Sequence, residues 1–151
     1  MAIESDQLTR RQLTPAIECQ LRIAHKAMDC FDFDMDTLVV LMAVVAASIG
    51  GAMRDPKALS DMAAAGVLPD PYHRPVSRRA IAASTGLARE TVRRKIADLI
   101  QGDYLVQERA GVRTRAGLLL EMRHLEFVRT LIDEIRRCGM ALERIEREER
   151  G

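Results

Sequence analysis

The sequence predicts a mainly α-helical fold carrying one small β-hairpin, arranged as a winged helix-turn-helix with flanking helices, and three observations predict it. Aromatics are 3% of the 151 residues and Trp is absent, so apolar packing must come from Leu, Ile, Val, Ala and the eight Met, a composition that favours helices. Apolar residues recur at three- and four-residue spacings through most of the chain. The exception is the end of the stretch Pro75 to Gly117, PVSRRAIAASTGLARETVRRKIADLIQGDYLVQERAGVRTRAG, where a short helix, a glycine turn and a basic helix are followed by two short alternating runs.

Length bounds the chain to one domain, residues 1–151, with 48% apolar and 30% charged residues in the soluble globular range. Within it, residues 14–31 read as an N-terminal helix. Residues 36–117 read as the winged helix-turn-helix with a loop insertion at 54–76, and residues 118–147 as a C-terminal dimerisation helix.

Thr14-Pro15 reads as a helix start, with Thr as N-cap and Pro at the first helical position. Ile17, Leu21, Ala24, Met28 and Phe31 then form one apolar stripe, suited to a partner helix. Asp32, Asp34 and Asp36 have the opening order of a calcium loop, but Thr37 and Ala43 stand where its Gly and Glu should be. The better reading is a turn that supplies an N-cap.

From about Thr37 to Met53 the chain is apolar nearly all round, as for a central scaffold helix. Its 17 residues fall short of the roughly 20 that span a bilayer. Asp55-Pro56 opens a short helix that Gly66 stops, and Pro69, Pro71 and Pro75 keep the next stretch irregular. Tyr72 and His73 are expected in a solvated loop.

Ser77 can cap a helix to about Ser84, with Ile81 and Ala82 inward, and Gly86 supplies the turn. In the next helix Val92, Ile96, Leu99 and Ile100 share a core face. Glu90, Arg93, Arg94 and Ala97 are left on the opposite face, with Arg89 beside them. Two strands, Tyr104 to Glu108 and Val112 to Arg115, should join across Arg109-Ala110-Gly111, with Arg113 and Arg115 on one face.

After the hairpin no Pro interrupts the run from about Ala116 to Glu146, which reads as one helix or two joined at Gly139. Leu118, Leu125, Val128, Ile132, Ile135 and Leu142 follow a heptad, broken at Glu121 and Gly139. A second stripe holds Leu120, Phe127, Leu131 and Cys138. Two apolar faces call for two partners, one of which can be a second subunit.

Charge points to the ligand. Net charge is only +1, yet from Arg74 to Arg115 ten basic residues face four acidic ones, giving +6, while the remainder carries 13 basic and 18 acidic residues, giving −5. An Arg fork can donate two hydrogen bonds to guanine O6 and N7, and a Glu can accept one from cytosine N4. Arg78, Arg79, Arg93, Arg109, Arg113 and Arg115 are then candidates for the DNA backbone or the wing contacts.

At these residues the chain resembles a known family. GLARETVRRKIADLIQGDYLV followed by GVRTRAG looks like the helix-turn-helix and wing of bacterial Crp/Fnr-type regulators, over about residues 77–117. The resemblance implies that Arg89, Glu90 and Arg94 read bases and that Arg93 holds the variable place. No strand pattern of a cyclic-nucleotide-binding barrel precedes it. Helices before and after the winged core are closer to MarR-like dimeric repressors, whose terminal helices join the subunits. The wing is shorter than theirs, and Ala88 replaces their usual Ser or Thr cap.

Cys19, Cys30 and Cys138 are odd in number and far apart, as in a reducing cytoplasm, and the N-terminus has no apolar signal core. His25, His73 and His124 are dispersed, so no metal or cofactor is expected, and no catalytic motif is present. The sequence therefore suggests a homodimeric, cytoplasmic, bacterial-type transcriptional regulator of double-stranded DNA. Two alternatives stay open: a winged-helix protein–protein adaptor without DNA, and a repressor responding to a small-molecule effector held between the terminal helices and the Val67 to Val76 loop.

Overall fold

The computed structural model describes residues 2–150 and divides the chain into two compact units. One joins the two ends of the chain, helix α1 (Ala2–Cys30) and helix α6 (Met122–Arg150). The other holds residues 33–121: α2 (Met35–Ile49), α3 (Pro56–Ala65), α4 (Arg78–Thr85), α5 (Arg89–Gln101), β1 (Leu105–Glu108) and β2 (Gly111–Thr114). The fold is mainly helical with one small antiparallel hairpin. No helix among the described residues is long and apolar enough to cross a membrane.

In the first unit α1 and α6 run antiparallel, each 29 residues and so about 43 Å long at 1.5 Å per residue. Polar pairs along the seam fix the register. Arg11 meets Glu148 at 2.6 Å and also Glu149, Gln12 donates to Glu146, Arg22 meets Glu134 at 2.6 Å, and Lys26 meets Glu126 at 3.4 Å. Between them Cys19, Ala27, Cys30 and Phe31 of this unit are buried with Phe127 and Ile145. Phe31 stacks on His124 at 5.4 Å and meets Phe127 edge-on at 5.2 Å.

This pairing corrects three expectations. Helix α1 does not start at Thr14-Pro15; Pro15 lies inside it. An interior proline removes one hydrogen bond and costs about 3 kcal/mol. Contacts to α6 on both sides of it, from Arg11 and Gln12 before and Arg22 and Lys26 after, keep both halves helical. Of the stripe Ile17, Leu21, Ala24, Met28 and Phe31, expected to meet a partner helix, only Phe31 is buried against α6. Leu21 and Met28 are 63% and 75% exposed, on the side of α1 away from Cys19 and Ala27. Finally, the last helix begins at Met122, after a 3-10 turn at Leu118–Leu120, and passes Gly139 without a break.

On α6 the two stripes separate, but Leu118 and Leu120, expected in them, lie before the helix in the 3-10 turn. Phe127, Leu131 and Cys138 turn toward α1 with His124 and Glu134, whereas the heptad residues Ile132 and Ile135 are 49% and 57% exposed. Glu134 is buried in the seam because Arg22 and Arg137 neutralise it at 2.6 and 3.1 Å. Its carbonyl accepts the Cys19 thiol at 3.4 Å. Cys138 follows one turn later on the same face, beside Cys19, and burial pushes the Cys19 thiol up, with Cys138 adding to the effect.

In the second unit the acidic turn caps α2, as expected. Asp34 accepts from the Thr37 amide at 2.9 Å and from its hydroxyl at 2.7 Å. Helix α2 is the centre of this unit, burying Leu38, Val40, Leu41, Val44 and Ser48. It stops at Ile49 rather than Met53, where Gly50 and Gly51 weaken the helix and a 3-10 turn follows at Ala52–Arg54. Asp55 caps α3, whose C-terminus is closed by Gly66 in the left-handed region. Ala52, Ala58 and Leu68 then form a small core of their own, with Ile49, Met62 and Tyr72 against it.

His73 is not in a solvated loop. It is buried, with Nδ1 2.8 Å from Thr114 Oγ1 and Nε2 3.1 Å from the Leu68 carbonyl. A carbonyl can only accept, so Nε2 carries a hydrogen. Thr114 in turn donates to the Ser48 hydroxyl at 3.3 Å, which links α2, the loop and β2.

Candidate nucleic-acid interface

Helix α4 begins at Ser77, whose hydroxyl accepts from the Ala80 amide at 3.2 Å, and it buries Ile81. Gly86 closes it with φ 72°, a value that an L side chain reaches only with strain. Three residues later α5 starts at Arg89, with Ala88 in the cap position and no side-chain oxygen on the free amides. Those amides remain available to an outside acceptor.

The core arc of α5 is Val92, Ile96 and Leu99, all essentially inaccessible. Sequence reasoning missed its fourth member, Lys95. It is buried, and its ammonium reaches back to Asp34 at 2.5 Å. The signal was present, because position 95 lies three and four residues from Val92 and Leu99 and so on the same arc. Hydrogen bonds from Lys95 and Thr37 hold the Asp34 carboxyl well below the usual carboxylate range. The pair joins the capped end of α2 to the middle of α5.

At 100° per residue the exposed arc carries Arg89, Glu90, Arg93, Arg94 and Ala97, and all five are exposed. The three residues expected to read bases therefore share one open face. Glu90 is not free on it. Arg93 grips it through two bonds, at 2.9 and 2.6 Å, and lowers the Glu90 pKa.

The hairpin pairs Leu105 with Thr114 and Glu108 with Gly111, so the connecting loop is Arg109-Ala110, one residue shorter than expected. A third segment joins it, unforeseen from sequence: Val76 and Val112 exchange two backbone bonds of 2.7 and 2.9 Å. Gly111 permits this approach, since a Cβ there would lie 2.2 Å from the Val76 carbonyl oxygen. Phe33 meets Tyr104 edge-on at 5.3 Å below the first strand.

The wing arginines are turned inward to carboxylates. Arg113 bonds Glu108 and reaches Asp70 at 2.9 Å, and Arg115 bonds Glu121 and lies 3.3 Å from Asp103. Their side chains are 14% and 28% exposed. The second strand ends at Thr114, one residue before Arg115, so the expected alternation does not extend to it, and each arginine meets its own pair of acids. In contrast Arg78, Arg79, Arg89, Arg94 and Arg109 are exposed and, among the described residues, make no ion pair. They occupy the start of α4, the open face of α5 and the hairpin tip. The described residues hold no cluster of three or more His, Cys, Asp or Glu suited to a metal.

No family model, curated protein or solved structure matches this chain.

Proposed function

We propose that residues 33–121 act as a winged helix-turn-helix that binds double-stranded DNA sequence-specifically, and that the chain works as a homodimeric transcriptional regulator. The observation that carries this reading is the sorting of positive charge within one compact unit. Arg93, Lys95, Arg113 and Arg115 are neutralised internally, whereas Arg78, Arg79, Arg89, Arg94 and Arg109 are exposed on α4, α5 and the hairpin tip and, among the described residues, make no ion pair.

The roles follow from placement. Arg89 and Arg94 stand on the face of α5 that a major groove would admit, and each can meet guanine with two donors. Glu90 is held by Arg93 and can accept from cytosine only with the lone pairs that Arg93 leaves. Arg78 and Arg79 at the start of α4, together with Arg109, supply phosphate contacts, a share that Arg113 and Arg115 give up to their own acids.

The dimer reading rests on the terminal helices. A pair of helices can bury only the sides that face each other, yet α1 also offers Leu13, Ile17, Leu21 and Met28, and α6 offers Ile132 and Ile135. A second α1–α6 pair packed there would complete a four-helix arrangement.

The reading is tested by fluorescence anisotropy of a labelled random-sequence duplex titrated at two salt concentrations. Wild type should bind and weaken steeply with salt, and the double variant Arg89→Ala, Arg94→Ala should lose most affinity. Failure of wild type to bind any duplex at low salt would refute it.

A further inference from the structure

Within residues 33–121 a pocket of about 210 Å³ lies between the end of α2, α3 and the Leu118–Leu120 turn. Its walls are Ile49, Met62, Val67, Leu68, Leu118 and Leu119, with His73 and Thr114 at one end. The polar groups that reach it have partners. Both His73 nitrogens and the Thr114 hydroxyl belong to the chain Ser48–Thr114–His73–Leu68, and Arg115 is held by Asp103 and Glu121. No buried side-chain nitrogen or oxygen among the described residues lacks a partner.

Two consequences follow. Water needs two to four polar partners, so the pocket offers it little, and a charged ligand would find no counter-charge. Its size also bounds the occupant. At about 210 Å³ it exceeds the ~150 Å³ of a dry apolar cavity that admits benzene, and falls below the roughly 300 Å³ where drug-sized ligand sites begin. Exposed Met53 and Leu120, which also line it, leave apolar surface that a ligand would cover.

We infer that this pocket is an effector site for a small, uncharged, apolar molecule of one or two fused rings, and that its occupancy is felt by the hairpin. The coupling is structural. Leu68 in the pocket wall carries the carbonyl that holds His73, His73 holds Thr114 of β2, and two residues away Val112 is bonded to Val76, which leads into α4. An occupant that moves Leu68 must strain or reset this chain of bonds. Only the coupling rests on the DNA reading above; the pocket stands on its own walls.

Naphthalene is the probe. Titrated into the isotopically labelled full chain, it should move the amide resonances of Val67, Leu68, Leu118 and Leu119 in a saturable way and raise the unfolding midpoint. Naphthalene-2-carboxylate, which adds a charged carboxylate to the same rings, should do neither. Val67→Trp, placed to fill the pocket from a half-exposed position, should abolish the resonance shifts while the circular dichroism spectrum stays that of wild type. Absence of saturable shifts up to the solubility limit of naphthalene, or shifts that persist in Val67→Trp, would overturn the site. Duplex affinity should change at least threefold at saturation, and an unchanged affinity would overturn the coupling. A chain that binds naphthalene here but no duplex refutes the DNA reading and leaves the pocket intact, and the reverse result refutes the pocket alone.

Discussion

Asp34 performs two tasks that substitution can separate, and both bear on how α5 is held. Its carboxylate caps α2 through the Thr37 amide, and it neutralises Lys95, which is 8% exposed. Loss of an N-cap costs about 1 kcal/mol. The ion pair is worth less than a fully buried one because the Asp34 side chain is 59% exposed and screened by water. We assign it about 1 kcal/mol, the upper end for exposed pairs, since the cation is the buried partner. Asp34→Asn keeps a good capping oxygen and loses only the charge, so it should cost about 1 kcal/mol; Asp34→Ala loses both and should cost about 2 kcal/mol. Urea unfolding followed by tyrosine fluorescence reports on this unit alone, because the two Tyr of the chain, Tyr72 and Tyr104, lie in it and Trp is absent.

The pH dependence has a definite sign. Asp34 has a lowered pKa in the folded chain, so the unfolded chain binds a proton there more readily and stability falls as the pH is lowered. The contribution of the charge is complete above the ordinary carboxylate range near pH 4 and is lost progressively below it. The gap between wild type and Asp34→Asn should therefore be constant from pH 5 to 7 and narrow below about 4. A gap that is absent at pH 7, or that widens on acidification, would refute the coupling of α2 to α5 through this pair.

Three further outcomes are expected. Ile132→Glu with Ile135→Glu should give a helical monomer by sedimentation, since both side chains point away from the α1–α6 seam, while wild type sediments as a dimer. Arg109→Ala should reduce the slope of log affinity against log salt by about 1, whereas Arg115→Ala, whose guanidinium is already committed to Asp103 and Glu121, should leave that slope unchanged. Treatment with diamide at alkaline pH should link Cys19 to Cys138 and leave Cys30 free in peptide mass spectra, because the α1–α6 register places the first two side by side. A Cys30 linkage would show that the register is wrong.

What could be read from the sequence was local. Caps at Asp34, Asp55 and Ser77, the left-handed glycines 66 and 86, and Val92, Ile96 and Leu99 of the α5 core arc all depend on a few neighbouring residues, and all are found, whereas Ile100 is only half-buried and Lys95 takes the fourth place. The open face with Arg89, Glu90 and Arg94 followed from that arc. Features that depend on residues far apart were not legible. Pro15 looks like a helix start until a helix more than 100 positions away holds both sides of it. His73 looks solvated until Thr114 and Leu68 converge on it. Arg113 and Arg115 read as a basic wing because alternation gives a side chain its face but not its partners, and the partners Asp70, Asp103 and Glu121 arrive from three separate turns.

The central claim, that two copies of the α5 face read DNA together, is tested most directly by selecting duplexes bound by the full chain from a randomised pool and sequencing them. An enriched inverted repeat is predicted, with half-sites about one helical turn, some 34 Å, apart and guanine at the positions that lose preference in Arg89→Ala or Arg94→Ala. Recovery of unenriched sequence, or of a single half-site without its repeat, would contradict it.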